Sequence, residues 1–409
     1  MPLSERNSRW DRLRKKMRFA GVDALVFLGN DIYWGMGMAN MRYMFQVESQ
    51  IGGDALFPME GDPVIWTAPV HMHRPTSMYL SIQDWVSDIR PKGGPTAIAG
   101  EIHAKALQAS KIGLVGFSNT LQTTNLLMYE VESLKKLLPG ANFVDMTWAV
   151  EEMRMIKSEL EIDMLRKASV ISRKVIDAMV VAAGQSGATE ASVYAEMVRT
   201  QISNGAEPYI FNLLASGPIE HPKEEIWHLL HGCEQPLTPS MRPLEKNDLI
   251  IAEWHTKYGG YRCHSEYTVY VGKKPPPQLQ RIWDVSCECL EASKEALVAG
   301  RTIREAIEII ERPARKAKLD WVELGFHAMG TASPEFPTVV YPAGFGPAAN
   351  GAGMQDLVLE TGMTFGNNID LHDSAWKPDV GCMYSDFMVV RESRAECLVN
   401  VPSEMGITG

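Results

Sequence analysis

The chain has 409 residues, a formal net charge of −10 and a pI near 5.6. That length exceeds one ordinary hydrophobic core, so two domains are expected, a first over 1–150 and a second over 151–409. The acidic balance leaves no positive field to hold nucleic acid or an anionic membrane surface, and no apolar run approaches the eighteen or so residues of a membrane span. Neither partner is expected.

From the start of the chain, residues 4–19 read as a helix. Glu5 and Asp11 interrupt its basic residues, while Trp10, Leu13 and Met17 recur at helical spacing. Such a pattern fits a docked helix better than a targeting segment, and the protein is expected in the cytoplasm. A buried strand follows at Asp23–Leu28, then a turn at Gly29-Asn30-Asp31. Asp54–Pro58 and Pro63–Ala68 are short strands joined by Glu60-Gly61-Asp62. A helix near 97–109, a strand at Ile112–Phe117, a helix at 120–137 and a strand at Ala141–Asp145 complete an α/β pattern. No glycine-rich phosphate loop occurs in it: Gly29-Asn30-Asp31 lacks the later glycines.

Beyond Met155 the texture changes to long helices. Ser158-Glu-Leu-Glu161 is a capping box opening an amphipathic run to about Ala183, and a second helix near 189–203 stops at Asn204-Gly205. A strand-like stretch, Tyr209–Ala215, and a proline-rich loop lead to Asp248–Gly272, whose two β-branched and aromatic runs flank Tyr258-Gly259-Gly260. This is an antiparallel hairpin carrying Glu253, His255, His264 and Glu266, and a paired register would bring acid and imidazole groups to one sheet face. The order then repeats: a helix from Pro277 closing at Gly300, a capping box Thr302-Ile-Arg-Glu305, and strands around Phe326, Leu357–Asn368 and Phe387–Val390. Two helix–helix–sheet units suggest an internally duplicated α+β domain with a shared cleft.

All six cysteines lie in the second half and form no zinc-type double pair; Cys287 and Cys289 point about 200° apart on a helix. They read as reduced structural thiols. Seven of the ten histidines fall between His221 and His372, which places the chemistry in the second domain.

The hairpin, Gly325-Phe326-His327, Leu359-Glu-Thr-Gly-Met363 and Ser385-Asp386 resemble, in that order, the landmarks of the creatinase and aminopeptidase family. Arg154-Met-Ile-Lys-Ser158 looks like the phrase that opens the same domain there. The resemblance implies a C-terminal pita-bread domain with internal pseudo-duplication, preceded by a smaller α/β domain, and a homodimer. Metal-dependent members hold two ions on two aspartates, a histidine and two glutamates. On the resemblance these positions fall on Glu253, Glu266, His327, Asn368 and Ser385. An amide and a hydroxyl in place of two carboxylates argue against a two-metal centre. The spacing from Tyr261 to Glu266 resembles creatinase, a metal-free member, although creatinase's second glutamate and late histidine fall on Asn368 and Ser385.

The expectation is therefore a metal-independent hydrolase of a non-peptide C–N bond in a small polar substrate, without cofactor. His231, Glu266 and His327 would be catalytic, with His228 competing for the place of His231. Glu253, Arg262, His264, His255 and Asn368 would bind substrate, Arg262 through its planar guanidinium. Glu253 and Glu266 could instead form a structural pair, and His255 and His264 could be strand histidines. If one ion is kept, Glu253, Glu266 and His327 would hold it. Three alternatives stay open: a metal-dependent Xaa-Pro dipeptidase or aminopeptidase; a C–S lyase, because Leu213-Leu-Ala-Ser-Gly-Pro218 resembles a phrase of dimethylsulfoniopropionate lyases; and an inactive binding protein on the same fold.

Overall fold

A computed structural model describes residues 1–29, 37–48, 52–68, 82–91, 93–116, 126–208, 212–220, 239–340 and 354–409. The chain divides into two compact units, Met1–Met155 with Thr331–Phe336, and Ile156–Gly330 with Pro337–Gly409. Among the described residues no helix is long and apolar enough to cross a membrane.

The first unit contains α1 (Leu3–Ala20), β1 (Ala24–Gly29), α2 (Ala39–Phe45), β2 (Gly53–Pro58), β3 (Val64–Ala68), β4 (Asp88–Pro91), α3 (Gly94–Ala104), β5 (Lys111–Val115), α4 (Met128–Leu137), β6 (Asn142–Asp145) and α5 (Thr147–Met155). Its sheet runs β4-β3-β2-β1-β5-β6. Every residue of β1 is buried because the sheet is covered on both faces: Leu25 and Phe27 join Trp10, Leu13 and Met17, while Ala24, Val26 and Leu28 join Ile98, Ile102 and Leu134. The predicted helix at 97–109 begins and ends earlier, since Gly94-Pro95 supplies the start and Ala106 turns into the left-handed region at φ 57°. The helix read at 120–137 is described from Met128, and residues 117–125 lie outside the described ones.

Thr331–Phe336 packs with the first unit although its sequence lies deep in the second. The cause is an ion pair: Arg154, at the end of α5, donates Nη2 to Glu335 and Nη1 to Asn40 Oδ1 at 2.8 Å, with both charged side chains 2% exposed. Nothing in the sequence pattern flagged this crossing.

The second unit comprises α6 (Glu159–Ala183), α7 (Glu190–Ser203), β7 (Leu213–Pro218), β8 (Asp248–Tyr258), β9 (Tyr261–Tyr270), α8 (Pro277–Ala296), α9 (Ile303–Ile310), α10 (Arg312–Ala317), β10 (Asp320–Ala328), β11 (Glu335–Val340, from Pro337 onward), β12 (Thr364–Asp373) and β13 (Lys377–Val389). Ser158 and Thr302 close the capping boxes that the sequence announces. The predicted strand Leu357–Asn368 starts only at Thr364, because Gly362 at φ 93° makes a turn before it. Strand order runs β10-β12-β13-β9-β8-β7. The β8–β9 turn is a two-residue Gly259-Gly260 loop with both φ positive, at 59° and 82°, the conformation that matches strand twist.

Period-two alternation then sorts side chains between two faces. On the helix-covered face, Ser265 Oγ lies 2.8 Å from Ser172 Oγ of α6, Tyr261 donates to Glu161 at 3.1 Å, and Asn367 donates to Ser293 of α8 at 3.0 Å. The opposite face receives the even-numbered residues of β9 and β12. Glu253 pairs with Glu266 and His255 with His264 across the hairpin, Glu266 with Ser385, and Ser385 with Asn368, a polar row spanning four strands.

Arg154→Met strips the buried Glu335 carboxylate of its guanidinium, and the expected loss is about 3 to 5 kcal/mol. Denaturant unfolding of the full chain measures it; a loss under about 1 kcal/mol would show that the pair does not hold this crossing.

Candidate metal centre

β8 is fixed where the site needs it. His255 donates its backbone N–H to Asn212 Oδ1 at 2.8 Å, its carbonyl accepts from Gln201 at 3.0 Å, and Gln201 Oε1 accepts from the neighbouring Trp254 indole at 3.0 Å. At the β9–β13 seam the Thr268 hydroxyl accepts from Met383 N and donates to Met383 O, both at 2.9 Å, so a side chain replaces ladder bonds. The polar row crosses the sheet beside this seam.

Three groups converge there. Glu253 Oε1 stands 3.3 Å from His264 Nε2 and 3.7 Å from His255 Nε2, and one ligand atom from each of Glu253, His255 and His264 lies within 4.8 Å of the others. Glu266 Oε1 is 3.7 Å from the same His264 nitrogen. The His264 ring lies 4.9 Å from that of His255 and 5.2 Å from that of His327, centre to centre. On its other side, His264 Nδ1 is 3.0 Å from Ser385 Oγ. Gly366, opposite His327 on β12, makes room: a Cβ there would stand 2.8 Å from His264 Nδ1 and 3.0 Å from His327 Nε2.

Burial governs the electrostatics. It pushes Glu253 up to about 8, and it holds His264 and His327 down to about 3, the latter also because His264 is beside it. Glu266 and Asp370 are raised, by burial first and then by neighbouring carboxylates. Among the described residues neither Glu266 oxygen has a hydrogen-bond partner, and His264 Nε2 makes no well-directed hydrogen bond. Neutral imidazole nitrogens beside costly buried carboxyls are a donor set that fits a divalent cation, which would favour the ionised acids.

The predicted residues are mostly gathered. Glu253, Glu266, His264, His255, His327 and Asn368 share the face, but Asn368 donates to Glu323 at 2.8 Å. Arg262 is buried on that face two residues before His264, with Nη1 3.4 Å from the Gly260 carbonyl at the turn. His231 and His228 lie outside the described residues. The single-ion set read from the resemblance, Glu253, Glu266 and His327, differs from the trio that converges, Glu253, His255 and His264. Ser385, Gly366, Glu323 and Asp370 were not read as site residues; only the alternation around Asn368 could have signalled Asp370 and Gly366, and a bulge between Trp321 and Leu324 hides Glu323.

An α/β unit preceding a pita-bread domain with a buried, cation-competent polar row defines a hydrolase fold of the prolidase kind. The chain belongs to metallopeptidase family M24, whose model matches residues 163–392, and residues 9–156 match the creatinase/prolidase N-terminal domain. It is 26% identical over 330 residues to a probable dipeptidase PepE of Mycobacterium tuberculosis, covering 80% of this chain and 76% of that one. It is 25% identical to an Xaa-Pro dipeptidase of Pyrococcus furiosus, over 70% and 76% of the two chains. Among solved structures, an X-Pro aminopeptidase from Thermotoga maritima superposes with a TM-score of 0.77 at 18% identity, covering 97% of this chain and 99% of that one, a likeness of fold. These matches overturn the expectation of a metal-independent hydrolase of a non-peptide bond: the family is one of metallopeptidases and the relatives are named as peptidases. The expectation rested on reading Asn368 and Ser385 as loss of the metal, and it did not weigh His255 and His264 together with Glu253 as a group that could hold one.

The shifts predict a two-sided pH profile for metal-stripped protein. His264 and His327 bind protons less readily folded than unfolded, so stability falls as pH drops from their ordinary 6.5 toward 3. Glu253 binds its proton more readily folded, so stability is full below its ordinary 4.5 and falls as pH rises through about 8. Calorimetric melting should peak between these limbs, and Glu253→Gln should flatten the alkaline one; an unchanged alkaline limb would contradict the assignment.

Proposed function

We propose that the protein is a metal-dependent peptidase that cleaves dipeptides of the Xaa-Pro type, with one divalent cation held by Glu253, His255 and His264. The convergence of those three groups carries the reading. Membership of a metallopeptidase family and the relatives named as dipeptidases support it.

When bound, the cation supplies Lewis acidity at the scissile carbonyl and favours an attacking hydroxide over water. The chain's own residues supply the rest. Glu266, raised by burial and then by Asp370, favours its protonated form and would hand that proton to the leaving nitrogen. Asp370 on β12, raised by burial and neighbouring carboxylates, adds to that preference. His327, neutral and edge-to-face with His264, offers a nitrogen to a substrate N–H. Enclosure of these groups excludes water and strengthens each polar contact.

Chelator should abolish hydrolysis of Xaa-Pro dipeptides and added divalent metal should restore it. Glu266→Gln should lower kcat about a hundredfold with KM little changed, the scale of acid–base help. Hydrolysis that survives complete metal removal, or reconstituted protein that cleaves no dipeptide, would contradict the proposal.

A further inference from the structure

We propose that the cation site is a single-ion, zinc-class centre of two imidazoles and one carboxylate, and that Ser385 is the residue that positions His264 within it. This deepens the preceding reading and rests on it only for the presence of a cation.

The spacing fits first. Ligand atoms about 2.0 to 2.1 Å from a tetrahedral ion stand about 3.3 Å apart, and Glu253 Oε1 is 3.3 Å from His264 Nε2 and 3.7 Å from His255 Nε2. Donor type fits next. Two neutral nitrogens and one oxygen suit zinc and its late first-row neighbours, whereas manganese and magnesium favour carboxylate-rich sites. Two histidines and one glutamate also make a catalytic zinc set that leaves a fourth position open.

The same row shows why one ion suffices. Beyond Glu266 it continues through Ser385 on β13 and Asn368 on β12, neither of which carries charge, and the Asn368 amide is engaged with Glu323 at 2.8 Å. A second ion would find no bridging carboxylate at these two places.

Ser385 then acquires a role that a lost ligand would not have. It is fully buried, and its Oγ lies 3.0 Å from His264 Nδ1. If Nδ1 carries the proton and donates to that oxygen, the Nε2 lone pair faces Glu253, as a ligating imidazole requires. Gly366 protects the arrangement, since any side chain there would press on His264 Nδ1 and His327 together. Serine at 385 and glycine at 366 thus fit a histidine on β9 that reaches into the centre.

The test reads metal binding without turnover. Metal-stripped full-length protein is titrated calorimetrically with zinc and, separately, with manganese, and the cobalt-loaded form is examined for the visible absorption of a tetrahedral centre. One zinc per chain is expected, bound at least about a hundredfold more tightly than manganese. Ser385→Ala should weaken zinc binding about ten- to a hundredfold, the usual effect of losing a ligand's supporting hydrogen bond, while Ser385→Thr retains it. Should Ser385→Ala fail to fold, Gly366→Ala is titrated instead and should weaken zinc binding likewise. Two ions per chain, a preference for manganese, or zinc binding that the tested variant leaves unchanged would overturn the proposal. A protein that binds one zinc and cleaves no dipeptide would refute the peptidase reading alone; dipeptide cleavage with two manganese ions bound would refute the single-ion centre here and above while leaving the peptidase activity standing.

Discussion

The structure of the second unit depends on placing ionisable groups where water does not reach them. Glu266, His264, His327 and Asp370 are each at most 5% exposed, on the face of the sheet opposite α6 and α8. An isolated ionised carboxylate in such surroundings is costly, and the group answers by keeping its proton or by finding a cation. Glu253, pushed up to about 8, and the raised Glu266 and Asp370 show the first answer. The divalent cation proposed beside Glu253 would be the second, with proton release linking the two.

The fold concentrates these groups by simple means. A two-glycine turn sets the register of β8 and β9, so Glu253 faces Glu266 and His255 faces His264. Ser265 and Asn367 on the covered face bind α6 and α8, which fixes the alternation and sends the charged residues the other way. At the seam with β13 the Thr268 hydroxyl takes over backbone bonding, and Ser385 lands beside both Glu266 and His264. The stability that this polar face forgoes is the expected cost of a preorganised site.

Much of this was legible in the sequence because it is local. Capping boxes, the Gly259-Gly260 turn and period-two alternation placed α6, α9, β8 and β9, and the string of landmarks gave the pita-bread fold. What escaped depends on contacts distant in the chain. The ion pair of Arg154 with Glu335 joins residues 181 positions apart, and α5, which carries Arg154, was not read as a helix. The convergence of Glu253, His255 and His264 was not read as a set for the same reason. Glu266 matched a ligand position by its place in the string, but pairing across the hairpin and the seam puts His264 between Glu253 and Ser385, and strand register is not written in any one strand. Composition could not disclose that two imidazoles converge on Glu253.

The most direct measurement is a crystal structure of the zinc-loaded protein with anomalous scattering recorded on either side of the zinc edge. The account predicts one peak per chain, bounded by Glu253 Oε1 and the Nε2 atoms of His255 and His264, with Ser385 Oγ still within hydrogen-bond distance of His264 Nδ1. Two peaks, or one peak away from those three residues, would contradict it.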